Sequence, residues 1–334
     1  MYTVDAGAGV ADPVTDPLHC TAIVVTYNSA GYVAEALTAL LATGMSVRVV
    51  DNASPDGTAA LVAARFPQVD LIVNDTNAGF ARAVNQAMRR GCADVVLLVN
   101  PDCVVPPDTA RALVRYVRDR PSVGIAGPRL VGTDGRVAIS AHPFESLATV
   151  VASRFGGTLV PVGVRRLLCG AKRRRAYDAC RRPREPHCVD WLAGACLAVR
   201  TELLVTVGGL DDGYFLYYED EELCLRAWQQ AYSVVYVPTV QARHTGGASS
   251  RDPAHIWPHL YRSMLLFFAR HRRPAFSAVR LAVLVRALLG IGLAAVRSAW
   301  HREDGAARAR AWAHILRIAY RATPESLERR PCAS

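Results

Sequence analysis

Residues 94–102, DVVLLVNPD, decide the fold: five apolar residues, three of them valine, run without a break into Asn100-Pro101-Asp102. A run of this length, rich in β-branched side chains and stopped by turn residues, predicts a buried strand with a polar tip. The same design recurs upstream. Residues 21–27, TAIVVTY, end at Asn28-Ser29; residues 46–50, SVRVV, end at Asp51-Asn52; a shorter run over 69–73 ends at Asn74-Asp75. Between them, residues 32–42 place Val33, Leu37, Leu40 and Leu41 at helical spacing, and further helices are predicted over 57–66 and 79–90. The order β-α-β-α-β-α-β at intervals of 20–25 residues predicts an α/β fold with a doubly wound, mostly parallel sheet. In open sheets of this kind ligands sit at the carboxyl ends of the strands. The first 105 residues therefore read as a Rossmann-like nucleotide-binding half, its site lined by Asn28, Asp51, Asn74 and Asn100. No GxGxxG follows the first strand and no GxxxxGK[ST] occurs, which disfavours a dinucleotide fingerprint and a P-loop.

Beyond Pro106-Pro107 a helix is predicted over 107–120, and Thr133-Asp134-Gly135 predicts a hairpin turn. Residues 140–188 read as irregular and basic, with Lys172, Arg173, Arg174, Arg175, Arg181, Arg182 and Arg184 within 13 positions. Order returns with VDWLAGACLAVR from 189, a Gly208-Gly209 turn and a strand over 233–237. Past 254 the chain reads as helical and basic, and no internal repeat is present.

The composition bounds the chemistry. With 334 residues, 51% hydrophobic and 20% charged, the chain buries a substantial core. A net charge of +10 points to an anionic partner: nucleic acid, a diphosphate or an anionic membrane surface. Nine cysteines, an odd number with no CxxC pair, argue against a zinc site and a disulfide framework, so a reducing cytoplasm is expected. The opening MYTVDAGAGVADPVTDP has neither a basic n-region nor an apolar h-region and reads as a short lead, not a signal peptide. The most apolar segment, 275–300, is interrupted by Arg280, Arg286 and Arg297. Its longest charge-free run, Ala287 to Val296, reads as too short to cross a bilayer and suited to lying on a surface.

Three polar clusters carry candidate chemistry. Asp102, at a strand tip, reads equally as a turn residue and as a ligand for a divalent cation that bridges phosphate oxygens. Glu219-Asp220-Glu221-Glu222 follows an aromatic approach, Tyr214-Phe215-Leu216-Tyr217-Tyr218. The helix dipole accounts for one or two of these carboxylates; aromatic neighbours that exclude water would raise the basicity of another. Glu221 and Glu222 read as solvated, with Arg226 in reach of Glu222 at i+4. His244, just after a strand, is either structural or returns to the sheet end that bears Asp102, where imidazole, carboxylate and diphosphate oxygens suit Mg2+ or Mn2+.

The stretches TAIVVTYNS, VVDNASPDGT, NDTNAGFARAVNQAM, VVLLVNPDCVV, VDWLAGACLAVR, VGGLDDGYFLYYEDEELCLRAWQQA and RHTGG occur in order over roughly residues 20–270. In that order and spacing they resemble family 2 glycosyltransferases of the GT-A fold, the rhamnosyltransferase-like members above all. The resemblance implies a catalytic domain over 20–252: a nucleotide-binding half (20–105) and an acceptor-binding half (106–252) with the basic 165–184 insertion. The lead (1–19) precedes it and a helical extension (253–334) follows. It implies donor contacts from Thr26, Asn28, Asp51, Asn77, Arg82, Asn85, Asn100 and Asp102, with Asp51 accepting a hydrogen bond from the pyrimidine base. It implies a metal, Mg2+ or Mn2+, on Asp102 and His244. The family's Asp-x-Asp has Asn100 in first place here, which leaves Asp102 as the main acidic ligand. Asp220 falls at the general base, with Glu219 beside it, and Trp191 and Gly194 on the acceptor side.

The implied reaction is an inverting, non-processive hexosyl transfer, of L-rhamnose from dTDP-rhamnose, to a hydroxyl of a glycan or polyprenyl-diphosphate-linked saccharide. A UDP- or GDP-sugar donor, or a small-molecule acceptor, is the alternative. The QxxRW sequence of processive synthases is absent. Peripheral contact with the inner face of the plasma membrane, through 165–184 and 275–300, is a further expectation. Two other classes compete: a nucleic-acid binder, for which no motif is present, and a catalytically inert glycan-binding scaffold.

Overall fold

The computed structural model describes residues 19–155, 178, 180, 184–246, 253–300 and 304–328. The predicted alternation is present. Strands β1 (Cys20–Thr26), β2 (Ser46–Asp51), β3 (Asp70–Val73) and β4 (Val95–Val99) alternate with helices α1 (Val33–Leu41), α2 (Thr58–Arg65) and α3 (Phe80–Met88). These four strands lie parallel in the order β3-β2-β1-β4. A two-residue strand, β5 (Cys103–Val104), follows the Asn100 turn, and then come α4 (Pro107–Arg118) and β6 (Val123–Val131).

The sheet continues past β4 through strands from the second half. After β7 (Ala141–His142), α5 (Leu147–Phe155), β8 (His187–Cys188) and β9 (Trp191–Leu192) comes β10 (Cys196–Arg200), antiparallel to both β4 and β6. Helices α6 (Thr201–Val207) and α7 (Glu219–Gln229) lead to β11 (Ser233–His244), which runs parallel to β6 and takes β5 and β8 along it antiparallel. β7 and β9 form a separate small ribbon.

Four features depart from the sequence reading. β6 was not predicted: Gly124, Gly127 and Pro128 dilute its strand signal. Its glycines answer to close packing, since a Cβ on Gly124 would lie 2.7 Å from Tyr232 Cβ and one on Gly127 3.1 Å from Leu192 Cδ1. The stretch read as irregular contains α5, a helix over Leu147–Phe155. The strand predicted over 233–237 runs on to His244, through an irregularity between Val237 and Gln241 at Pro238. The basic run 165–184 lies outside the described residues except for Asp178, Cys180 and Arg184.

The sheet is buried on both faces. Val24, Leu37, Val49 and Leu97 pack on one side with Leu113 and Val117 of α4. Ile23, Val50, Val84 and Leu98 pack on the other with Leu203, Leu223 and Tyr236. A third apolar cluster belongs to the C-terminal helices α8 (Trp257–His271), α9 (Arg273–Trp300), α10 (Asp304–Arg321) and α11 (Pro324–Glu328). It includes Tyr214 and Tyr218 from the segment that precedes α7, so the helical extension is packed onto that segment. The fourth departure is here: α9 is one continuous helix, and its Arg273–Val296 part is long and apolar enough to cross a membrane by length and composition. Counting charge-free residues along the chain hid this, because it stops at Arg280 and Arg286, of which the first is bound to α10 and the second stacked on its Trp312.

Candidate functional site

The strand tips gather the predicted residues at one end of the sheet. Register sets the first pair: Thr26 of β1 lies beside Asp51 of β2. Thr26 Oγ1 donates to Asp51 Oδ2 at 2.8 Å, and Ser54 donates twice, from N to Oδ1 at 2.9 Å and from Oγ to Oδ2 at 2.6 Å. Asp51 is fully buried, so both its oxygens are engaged within the protein. The backbone N–H of Asn28 in turn donates to Ser54 Oγ at 3.0 Å. Asn28 sits at φ 54, the left-handed region that Asn tolerates better than most side chains, and its Oδ1 is buried with no hydrogen-bond partner among the described residues. A buried acceptor left open at a strand tip costs free energy unless something docks on it.

The β3 tip is built from amides. Gln86 Nε2 donates to Asn74 Oδ1 (2.8 Å), Asn74 Nδ2 to Asn52 Oδ1 (2.9 Å), and Asn52 Nδ2 to the Gly79 carbonyl (3.2 Å). Asn77 Oδ1 closes the same loop by accepting from Gly79 N–H at 3.0 Å. A cavity of about 550 Å³ opens beside this loop, lined by Asn74, Thr76, Arg82, Arg89 and Asp212 among others; neither Asp102 nor Asp220 lines it. Arg82, partly exposed there, lies 3.8 Å from Asp212. Asn85 turns both ends of its amide to the Leu210 backbone, donating to the carbonyl at 2.7 Å and accepting from N–H at 2.9 Å. It braces the Gly208-Gly209 turn.

At the β4 tip, Asn100 shapes the turn: its N–H donates to Ala195 O at 3.0 Å and its carbonyl accepts from Cys103 N–H at 3.0 Å. The antiparallel register of β5 on β11 sets His244 opposite Cys103. His244 Nε2 thereby reaches 3.3 Å from Asp102 Oδ1, and Thr245 N–H donates to the Asp102 carbonyl. Asp102 is nearly buried and His244 partly exposed, so the pair opens on one side. A carboxylate and an imidazole aimed at one point suit Mg2+ or Mn2+ when phosphate oxygens and water supply the other ligands. No group of three or more such side chains occurs among the described residues.

Asp220 lies in the first turn of α7. Two consecutive tyrosines, Tyr217 and Tyr218, enter that helix at φ 66 and 71, strained conformations for aromatic residues. Gly194 N–H donates to Asp220 Oδ2 at 2.9 Å and Glu221 N–H to Oδ1 at 2.8 Å. Burial raises the Asp220 pKa above the usual aspartate range, against these donors, which lower it. Burial and the Asp220 charge raise Glu219 as well, and its Oε2 is buried without a partner. Burial thus disfavours a second negative charge beside Asp220.

Glu221 and Glu222 correct an expectation: neither is solvated. Both are 2% exposed. Glu221 Oε1 accepts from Glu145 N–H at 2.7 Å, and burial with the nearby Glu145 charge pushes its pKa up to about 9. Glu222 does form the i+4 pair with Arg226, at 2.7 Å, and is also 3.4 Å from His271 of α8. Trp191 Nε1 donates to Pro143 O, and its ring stacks on His142 at 4.5 Å between centroids. Gly194 is the residue that seats the Asp220 carboxylate.

Several contributors were not singled out from sequence: Ser54, Asn52, Gln86, Glu145, His142 and the Phe215–Gly79 contact. The DNAS tetrad contains two of them and is the one local signal. The segment before α7 is held from behind by α8, where Arg270 pairs with Asp211, Ser263 Oγ donates to Leu216 O, and His259 stacks on Phe215.

Comparison with known proteins bears on this geometry. Residues 21–167 match the family model described as Glycosyl transferase family 2. Over 266 residues the chain is 33% identical to an N-acetylglucosaminyl-diphospho-decaprenol L-rhamnosyltransferase of Mycobacterium tuberculosis (strain ATCC 25618 / H37Rv), covering 75% of this chain and 84% of that protein. It is 40% identical over 87 residues to the rhamnosyltransferase WbbL of Escherichia coli (strain K12), covering 25% of this chain and 32% of that one. In fold it is similar to GalNAc-T7, solved with UDP, GalNAc and Mn2+, at a TM-score of 0.50 and 14% identity over 78% of this chain and 51% of that one.

Proposed function

Because the chain belongs to glycosyl transferase family 2, we propose that it transfers L-rhamnose from dTDP-rhamnose to a hydroxyl of a polyprenyl-diphosphate-linked saccharide, with inversion at the anomeric carbon. It is a glycosyltransferase of GT-A fold. The donor and acceptor follow the relative from Mycobacterium tuberculosis. The residues supply the mechanism.

One observation carries the reading: a three-residue link joins the proposed base to the proposed metal tip. Asn100 N–H bonds Ala195 O, and the adjacent Gly194 N–H bonds Asp220 Oδ2. The base is thus fixed to the strand end that bears Asp102. The acceptor O–H gives its proton to Asp220 while the oxygen forms a bond to the anomeric carbon from the face opposite the diphosphate. The bond from that carbon to the phosphate oxygen breaks, and the diphosphate leaves with the electron pair. Asp220, with its pKa raised and one oxygen each on two backbone donors, keeps lone pairs free for this proton. Asp102 and His244 would hold Mg2+ or Mn2+, which would supply positive charge against the leaving diphosphate.

At the nucleoside end, Thr26, Asn28 and Asp51 form one unit with Ser54. Asn28 Oδ1 is the open acceptor; we assign Asp51 to holding that unit in shape. Arg82 lines the cavity beside the loop that Asn77 closes, Asn100 shapes the turn that bears Asp102, and Asn85 acts through the Leu210 turn. Trp191 and His142 form a stacked wall on the acceptor side. A donor screen by mass spectrometry, with dTDP-rhamnose against UDP- and GDP-sugars, tests the assignment. Transfer from dTDP-rhamnose alone supports it. Transfer from a UDP- or GDP-sugar in its place overturns the donor and leaves the family; hydrolysis and transfer both absent with every donor and Mn2+ overturns the enzyme reading.

A further inference from the structure

An apolar surface that the proposed reaction leaves unused lies on α9. Leu281, Val285, Leu288 and Val296 follow at steps of four, three and eight residues, which places them on one helical face. They are 61%, 42%, 58% and 61% exposed. Exposed apolar residues scattered singly call for no explanation, whereas a row along a helix does. The opposite face is engaged: Phe276, Val279, Val283 and Ala287 are buried, and Gly290 lies so close to Trp312 that a Cβ would meet the ring at 2.3 Å.

Arg280 and Arg286, two of the three arginines that break up this segment, keep clear of the row. Arg280 Nε and Nη2 donate to the carbonyls of Ala319 and Tyr320 at 2.8 and 2.7 Å, and the Arg286 guanidinium lies 4.2 Å over Trp312. At roughly 100° per residue both lie about 80° or more around the helix from the nearest residue of the row. The outward face is therefore cleanly apolar, although the sequence is not.

Charge complements this. The 82 residues from 253 to 334 hold 14 arginines and no lysine against four carboxylates. The preceding 252 residues balance, with 25 basic and 25 acidic side chains. The whole net charge of +10 thus belongs to the extension that bears the apolar row. Arg310, Arg317 and Arg321, on the adjacent α10, are exposed.

Length does not decide how such a helix meets a bilayer: 24 residues rise about 36 Å, enough for a hydrocarbon core of about 30 Å. Attachment does. Of its most apolar 18-residue window 28% is buried against the rest of the protein, and Arg280 and Arg286 are bound or stacked on α10. Crossing would strip these contacts and carry the arginines to mid-membrane.

We infer that α9 docks this protein on a bilayer with anionic headgroups, lying along the surface with Leu281, Val285, Leu288 and Val296 in the acyl boundary and the arginines of the extension toward the phosphates. The inference rests on the proposed lipid-linked acceptor for its purpose. Its test uses no turnover, so a wrong sugar or acceptor leaves the result standing and a failure here leaves the glycosyltransferase reading standing.

The test is co-sedimentation of the full chain with vesicles of phosphatidylcholine alone and of an equimolar mixture with phosphatidylglycerol, for wild type and for Leu281→Asp/Leu288→Asp. Wild type is expected on the mixed vesicles, at least about tenfold less on phosphatidylcholine. The double variant is expected to lose at least about tenfold of that binding with an unchanged Tm. Should the double variant unfold, Leu281→Asn alone carries the same comparison at a 61% exposed position. Equal binding of variant and wild type overturns the inference, as does equal binding to both vesicles. Resistance of membrane-bound protein to alkaline carbonate extraction means a spanning helix and also overturns it. So does a wild type that binds no vesicle but forms a dimer that the double variant abolishes.

Discussion

The backbone N–H of Gly194 donates to Asp220 Oδ2 at 2.9 Å, and no side chain stands between them. A Cβ placed on Gly194 would lie 3.4 Å from Asp220 Cβ and 3.5 Å from Oδ2, in ordinary contact with the carboxylate proposed as the base. Gly194→Ala is therefore expected to fold with a Tm close to wild type, since contacts at that range need no backbone shift. Its kcat should fall by about tenfold, the effect of holding a proton acceptor slightly out of line. Steady-state kinetics beside a thermal melt separates the two; a kcat equal to wild type would remove Gly194 from the base's support.

Metal dependence follows from the Asp102–His244 pair, 3.3 Å apart and open on one side. EDTA should abolish transfer, and Mn2+ or Mg2+ should restore it. His244→Ala removes one of two protein ligands, so the Mn2+ concentration for half-maximal activity should rise by about tenfold or more, roughly 1.4 kcal/mol of binding. Asp102→Asn should raise it further, since the charge goes with the ligand. Full activity in EDTA would dismiss the metal role of both residues.

The parallel half of the sheet was legible because its strands are short apolar runs that end in Asn or Asp, a pattern set by local sequence alone. The second half was less so. β6 carries Gly124, Gly127 and Pro128, which read as a loop until Tyr232 and Leu192 are seen against the missing side chains. Asp220 could be picked from four neighbouring carboxylates by resemblance, but its seat could not, because Gly194 is 26 residues away. Glu221 looked solvated for the same reason: its hydrogen-bond donor, Glu145 N–H, lies 76 residues earlier. Asn85 was legible as a polar helix residue and not as the brace of a turn 125 residues on. Long-range partners of polar side chains have no signature in local periodicity.

Stability should fall as pH rises, and Glu221 is the main handle. Its native pKa is near 9, while an unfolded glutamate titrates near about 4.3. Between those values the native chain holds a proton that the unfolded chain has released. The stabilisation is complete below the unfolded value and is lost progressively up to the native one, at most about 1.4 kcal/mol per pH unit. Glu221→Gln keeps the shape without the proton, so its Tm should decline less between pH 5 and pH 9, the direction that thermal melts across roughly that range would check. Equal slopes for the two proteins would contradict the buried, protonated assignment.

Gly79 sits at φ 83, and a Cβ there would meet Phe215 O at 2.6 Å and Phe215 Cα at 3.0 Å. Phe80 N–H donates to that same carbonyl at 3.0 Å, so the donor-side loop and the segment before α7 touch backbone to backbone. Gly79→Ala should cost about 1–3 kcal/mol from overpacking, with the strained φ adding to it. It should also raise the KM for the nucleotide sugar, because Asn77 and Asn52 bond the same glycine. Chemical denaturation with steady-state kinetics reads both; an unchanged stability would mean that the two segments part without cost.

The central claim is that Asp220 takes the acceptor proton, and single-turnover transfer by Asp220→Asn at saturating donor and Mn2+ tests it most directly. The substitution preserves the acceptor for Gly194 N–H and removes the proton-accepting charge. The predicted result is donor binding within a few-fold of wild type and a transfer rate lower by about 10²–10⁴, the range for loss of a general base. Transfer at the wild-type rate would contradict it and move the base elsewhere on the cleft.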